Sequence, residues 1–280
     1  MPVCITGMGR SGTSLVAQAL QECGLFLGQP EDLLPENASN REGHWEHAGI
    51  VALNDELLSR FGGAWNAPPE LPHTWERQSN VTDLADRARE IVDQLARHAP
   101  WGWKDPRAAL TLRFWLWIIG EFDLVICVRH PAEVAQSLAS RDGMPTAQAL
   151  ELWLAYYDAL EAELAERQIV TRYDRFFTAP LAELDRLTTA LGLTPTSKQV
   201  ARAVARVNTQ LRHHVGESPA EPWPDDARAR WEDLCRRAGD PAPRDLPPLD
   251  PSVELAATRE LLGETRERLY LLQDELVKSL

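Results

Sequence analysis

The chain has 280 residues, of which 44% are hydrophobic and 25% charged, with a formal net charge of −13. Such a chain buries a full core as one large domain, or as one domain with an appendage, and its acidity leaves no basic stripe for a nucleic acid or an anionic membrane surface. No apolar run approaches the roughly 20 residues of a bilayer span.

Met1-Pro2 leads directly into an apolar run without a signal peptide, so the expectation is a cytoplasmic protein. Cys4, Cys23, Cys127 and Cys235 lack the paired spacing of a zinc or redox site and read as reduced thiols. In so acidic a chain, each cation beside a glycine turn or a strand end is more informative than usual.

Val3 to Thr6 predicts a strand, and the pattern Leu15, Val16, Ala19, Leu20 predicts a helix over about 11–22, closed near Gly24. Between them Gly7 and Gly12 have the G-x-x-x-x-G spacing of a phosphate-binding loop, followed by two hydroxyls, Thr13 and Ser14. Gly7, Gly9 and Gly12 permit backbone angles that turn successive N–H groups inward, and the helix start adds its positive end. The lysine that a nucleotide triphosphatase places after the second glycine is missing. Thr13 stands there, and the cation is Arg10, inside the loop. A plain strand-to-helix turn competes with this reading, but Arg10 and the hydroxyl pair favour an anion nest.

Asn40 to His47 (NREGHWEH) crowds two histidines, a tryptophan and two acids at a helix start, a good place for a base; the competing reading is a solvated helix cap. A helix follows with Ile50, Val51, Leu53, Leu57 and Leu58 on its apolar positions. Residues 62–80 carry three prolines and no periodicity, an irregular excursion of the kind that lines substrate entrances. Helical periodicity resumes over 83–98. Trp101 to Arg107 reads as a short strand ending in charges, Lys104-Asp105-Pro106-Arg107, and the next helix runs from about Leu110 to Ile118.

Asp123 to Val128 is a continuous apolar run, the mark of a central parallel strand covered on both faces. It ends in Arg129-His130-Pro131 and enters a helix over 132–141 that carries Ser137. Open parallel sheets place their ligands at that end of a strand. A nucleotide triphosphatase tends to put an aspartate for magnesium there, whereas this chain puts a cation, so no metal is expected. Helix over 146–166, strand over 168–173 and helices over 181–191 and 196–207 complete an alternation that predicts an α/β, doubly wound parallel sheet of the phosphate-binding-loop type flanked by helices. The expected organisation is an α/β domain over 1–215, a proline-rich wrap or linker with one short helix around Trp231 over 216–251, and a C-terminal amphipathic helix over 252–280. Leu255, Leu262, Leu269 and Leu276 recur every seven residues in that helix, which either docks on the body or pairs with a second copy in a homodimer.

Taken together these motifs resemble the sulfotransferases that use 3′-phosphoadenosine 5′-phosphosulfate, in particular their bacterial and protein-tyrosine-modifying branches. The similarity covers roughly residues 3–215. Gly9-Arg10-Ser11-Gly12-Thr13-Ser14 resembles the loop that holds the 5′-phosphosulfate, Arg129 with Ser137 the pair that holds the 3′-phosphate, and Lys104-Asp105-Pro106 the lysine segment. Tyr173 is similar to a tyrosine beside the nucleotide, and Arg212 matches the family's basic tail segment loosely. The resemblance implies metal-free, in-line transfer from that cofactor to an acceptor hydroxyl, leaving adenosine 3′,5′-bisphosphate. It implies that Arg10 and Lys104 stabilise charge on the sulfuryl group and the leaving phosphate. Gly43-His44-Trp45-Glu46 resembles the glutamate-bearing stretch of the protein-tyrosine branch, which puts the base at Glu46, with His44 as the alternative.

The acceptor implied is a small molecule or glycan with a hydroxyl, with no nucleic-acid partner. Two other functions compete: a kinase with a phosphate-binding loop and ATP, and a non-catalytic nucleotide-binding scaffold. The kinase would need a lysine at Thr13 and an aspartate at Arg129.

Overall fold

The computed structural model describes residues 1–35, 45–161, 168–207 and 224–239. Its sheet has four strands, β1 (Val3–Thr6), β2 (Gly102–Lys104), β3 (Asp123–Val128) and β4 (Gln168–Arg172), in the order β2-β1-β3-β4 with every pairing parallel. Parallel neighbours need crossovers, and helices supply them. α1 (Thr13–Glu22), α2 (Ala48–Arg60) and α3 (Thr82–Leu95) lie between β1 and β2; α4 (Ala108–Ile119) joins β2 to β3; α5 (Pro131–Asp142) and α6 (Thr146–Glu161) lie between β3 and β4. After β4 come α7 (Arg175–Thr178), α8 (Pro180–Ala190), α9 (Ser197–Ala205) and α10 (Asp225–Ala238).

Alternate residues of the strands feed two separate cores, as the period of two dictates. Cys4, Leu124, Ile126 and Val128 join the core built with α2 to α6, where Trp103, Trp115 and Trp153 are buried. Val3, Ile5, Val125 and Cys127 join the other, packed with α1, α8 and α9. The predicted doubly wound sheet is therefore present, with β1 in an inner position and its carboxyl end facing both β2 and β3.

The expected elements are found with shifted ends. α1 begins at Thr13, because Ser11 is still in the loop and donates its N–H to Met8 O at 3.1 Å. α3 stops at Leu95, ahead of the expected 98. The helix expected around Trp231 is 14 residues long and lies on the body: Arg175 Nη1 donates to Ala238 O at 3.0 Å, and the Trp231 ring meets His130 edge-on at 5.3 Å. Among the described residues no helix is long and apolar enough to cross a membrane. The heptad leucines, Arg212 and His44 lie outside the described residues, as does the end of the helix expected to reach 166.

Candidate active site

The loop between β1 and α1 is set by three left-handed positions. Gly7 has φ 136°, and a Cβ there would stand 2.3 Å from Cys127 O; Gly12 has φ 88°, and a Cβ would stand 2.4 Å from the Tyr173 ring. Both glycines answer to conformation and to space. The third position is Arg10, φ 73°, where a side-chain-bearing residue takes a conformation that costs about 1–2 kcal/mol. Gly9, expected to supply such an angle, has none of these properties, with nothing within 4 Å of its Cβ position. The loop thus concentrates its strain on its cation, a placement associated with ligand clamps.

Arg10 turns toward β3 and α5. Its Nε donates to Ser137 Oγ at 2.8 Å, and its carbonyl accepts from Arg129 Nη1 at 3.4 Å. Arg129, buried at the end of β3, donates from Nε to Glu133 Oε2 at 2.8 Å and lies over the Tyr173 ring, 4.5 Å from its centroid. Its Nη2 is buried and finds no hydrogen-bond partner among the described residues. Burial lowers the proton affinity of the Arg10 guanidinium, and Arg141 and Arg129 lower it further. Converging cations and a buried donor without an acceptor are the features of a site built for an anion.

On the other side of the loop, β2 delivers Lys104. Its Nζ donates to Ser14 Oγ at 3.1 Å in the first turn of α1 and to Glu46 Oε1 at 2.5 Å. Lys104 is 2% exposed and Glu46 6%, so this is a buried pair. Glu46 is held just ahead of α2: its carbonyl accepts from Leu34 N at 2.8 Å, and the neighbouring His47 caps the helix by accepting from Gly49 N at 3.2 Å. The solvated cap weighed for this stretch is therefore corrected at His47 and Glu46, which are both buried.

Ser11 is fixed from a third direction, since Tyr157 OH on α6 donates to Cys127 O at 2.7 Å and lies 3.1 Å from Ser11 Oγ. Thr13 is buried at the start of α1. Sequence reasoning missed Tyr157, Arg107 beside the Glu46–Lys104 pair, and Asn54 behind Asp105. Arg107 Nη1 lies 3.8 Å from Glu46 Oε2, and Asn54 Nδ2 donates to Asp105 Oδ2 at 2.8 Å. An asparagine amid the apolar positions of a predicted helix was the available signal.

The structure thus brings Arg10, Arg129, Ser137, Gly12 and Tyr173 together on one flank of the loop, and Ser14, Lys104 and Glu46 on the other. Two cationic groups facing one strand-to-helix loop can hold a ligand with phosphates at two ends, and a carboxylate beside the second can accept a proton. The excursion over 62–80 does line a cavity, of 540 Å³, together with α4 and α6. Leu58 and Leu110 on its wall each lie one helical turn beyond Asp55 and Arg107, which are paired at 2.6 Å.

A sequence profile described as "Sulfotransferase family" matches residues 2–197. Among solved structures, the sulfotransferase domain from the Synechococcus PCC 7002 olefin synthase is similar over 88% of this chain and 95% of its own, at 17% identity and a TM-score of 0.54. The sulfotransferase domain from the curacin biosynthetic pathway is similar over 84% of this chain and 98% of its own, at 17% identity and a TM-score of 0.50. No curated protein sequence gives a significant match.

Proposed function

Since the chain belongs to the sulfotransferase family, we propose that it transfers the sulfuryl group of 3′-phosphoadenosine 5′-phosphosulfate to the hydroxyl of a small-molecule or glycan acceptor. The observation that carries the donor's identity is the division of cations between the two flanks of the loop, with Arg129 Nη2 buried and without a hydrogen-bond partner among the described residues. A donor with a single phosphate end would leave that buried donor of Arg129 without an acceptor, and an unsatisfied buried donor is costly.

In this reading Arg129 and Ser137 hold the 3′-phosphate, with Tyr173 beside the nucleotide. The loop from Gly9 to Ser14 holds the 5′ end through its backbone N–H groups and the hydroxyls of Ser11, Thr13 and Ser14. The donor supplies an activated sulfur with a phosphate leaving group. Arg10 and Lys104 lie on opposite sides of the loop and stabilise the charge that grows there, which needs preorganised donors and no metal. Glu46 is the base: its side chain is buried against Lys104 Nζ at 2.5 Å, and it takes the acceptor's proton. Lys104 Nζ, which reaches Ser14 at the loop as well as Glu46, is drawn toward the loop as charge builds on the leaving phosphate. Holding donor and acceptor in line supplies much of the remaining acceleration.

The test has two arms. Transfer of radiolabelled sulfur from the donor to a panel of phenols, alcohols and oligosaccharides reports turnover, and calorimetry compares adenosine 3′,5′-bisphosphate with AMP. The bisphosphate is expected to bind at least tenfold more tightly than AMP, about 1.4 kcal/mol, and Arg129→Gln to erase that difference. Equal affinity for the two nucleotides in the unaltered protein would overturn the reading of the donor.

A further inference from the structure

Five ionisable side chains meet at the end of β2, three acids and two bases. Around Glu46 stand Lys104 from β2, Arg107 and Asp105 from the turn that follows it, Asp55 from α2 behind Arg107, and the neutral Ser14 from α1. The two bases differ in what ties them. Lys104 has an exit, because the same ammonium that grips Glu46 already reaches Ser14 at the loop. Arg107 is fastened away from the loop. Its Nη1 donates to Asp105 Oδ1 at 3.0 Å, its backbone N–H donates to the same oxygen at 2.9 Å, and its Nε stands 2.6 Å from Asp55 Oδ1 as an ion pair without hydrogen-bond geometry.

The fastening continues inward. Asp105 has no exposed surface, and its other oxygen accepts from Asn54 Nδ2 at 2.8 Å. Asn54 Oδ1 in turn accepts from Thr111 Oγ1 at 2.7 Å and Trp115 Nε1 at 2.9 Å. Each polar atom of the Asn54 side chain named here is engaged, and α2 and α4 are packed through it. The guanidinium is thereby fixed with Nη1 facing the outer oxygen of Glu46 at 3.8 Å.

We infer that Arg107 is the positioning residue of the base: it keeps the Glu46 carboxylate in place and ionised when Lys104 turns from Glu46 to the anion held by the loop. The inference rests on the reading of Glu46 as base given above. One ammonium cannot hold a carboxylate and a developing anion equally. A buried carboxylate that loses its counter-ion takes up a proton, and in that state it cannot accept one from the acceptor. A cation that stays behind removes the difficulty, and Arg107 is the base beside Glu46 with its fork tied to groups other than the loop. Burial pushes the Asp105 carboxyl upward, and Arg107 opposes that push.

The experiment uses Arg107→Gln and Arg107→Lys in the full chain with three readouts: the acid limb of kcat at saturating donor and acceptor, the titration of the carbon-13-labelled Glu46 carboxyl with adenosine 3′,5′-bisphosphate bound, and affinity for that bisphosphate. For Arg107→Gln the acid limb and the Glu46 titration are both expected to move to higher pH by about one unit, a tenfold loss of rate on the acid side that is recovered at alkaline pH. Bisphosphate affinity stays within about threefold, because Arg107 faces away from the loop. Arg107→Lys, which keeps the charge and spares the fold, is expected to fall between the two. The inference is overturned if the Glu46 titration is unmoved in Arg107→Gln, if Arg107→Lys moves it as far, or if rate is lost equally at every pH. Absence of sulfuryl transfer by the unaltered protein would sink the proposed function instead, and the Glu46 titration would still decide the part played by Arg107.

Discussion

Arg10 and Ser137 are 127 residues apart in the chain and 2.8 Å apart in the fold, the guanidinium Nε donating to the hydroxyl. This one bond ties the strained residue of the loop to the helix that starts two residues after Arg129. It opposes relaxation of a left-handed arginine to an ordinary conformation, which would recover about 1–2 kcal/mol. The bond therefore couples the 5′ and 3′ halves of the proposed nucleotide site.

Ser137→Ala follows directly from that coupling. The variant removes the acceptor of Arg10 Nε and one hydroxyl from the proposed 3′-phosphate site, while the methyl side chain fits the space. A hydrogen bond to a charged group is worth about 1.5–3 kcal/mol, so affinity for adenosine 3′,5′-bisphosphate is expected to fall by roughly ten- to a hundredfold. Binding of AMP, which lacks the 3′-phosphate, changes much less. Calorimetry with both nucleotides checks this; a parallel loss for the two would mean that Ser137 acts on the loop alone.

The glycines of the loop give a paired prediction. Gly12→Ala forces a Cβ to 2.4 Å from the Tyr173 ring at φ 88°, so left-handed strain and overpacking add, for a loss on the order of 3 kcal/mol. Gly9→Ala meets nothing within 4 Å and is expected to melt within about 2 °C of the unaltered chain. Thermal melts of the two variants side by side decide it. A Gly9→Ala protein destabilised as much as Gly12→Ala would show that the backbone at position 9 also demands glycine.

These same positions mark how far the sequence could be read. β3 was legible because a strand covered on both faces must be apolar at every position, and Leu124 to Val128 are all buried. The loop was legible from the spacing of Gly7 and Gly12, whose side-chain-free backbone is required by Cys127 and Tyr173. That Arg10 rather than Gly9 takes the left-handed angle was not, because such an angle is usually given to glycine or asparagine and here is held by a contact 127 residues away. The Glu46–Lys104 pair spans 58 residues and crosses from the start of α2 to β2. Composition and motif nominate its two members separately; only the parallel register of β1 with β2, Ile5 opposite Lys104, brings the lysine to the loop. Tyr157 and Asn54 were hidden for a related reason. Both sit within predominantly apolar helix patterns, where a polar residue declares its partner only once the facing element is known.

The stretch that carries Glu46 into place makes a prediction about pH. His47 caps α2 through Nδ1, which accepts from Gly49 N at 3.2 Å and so must be unprotonated there. Burial lowers the proton affinity of its imidazole below the ordinary value, against an opposing pull from Asp32. The native state then binds fewer protons than the unfolded chain over the interval between the lowered value and the ordinary one near 6.5. The stability contributed by neutral His47 is accordingly present above about pH 6.5 and is lost as pH falls through the lowered value. His130 is lowered by burial in the same way and adds a second loss of the same sign. Asparagine caps helices as well as any residue and does not titrate, so His47→Asn is expected to retain the cap and remove one of the two losses. Melting temperatures of both proteins between about pH 7.5 and pH 5 should converge toward acid, the variant losing the less. Parallel curves would show that protonation of His47 is not felt by the fold, and a variant that loses more than the unaltered chain would show that the substituted asparagine fails as the cap.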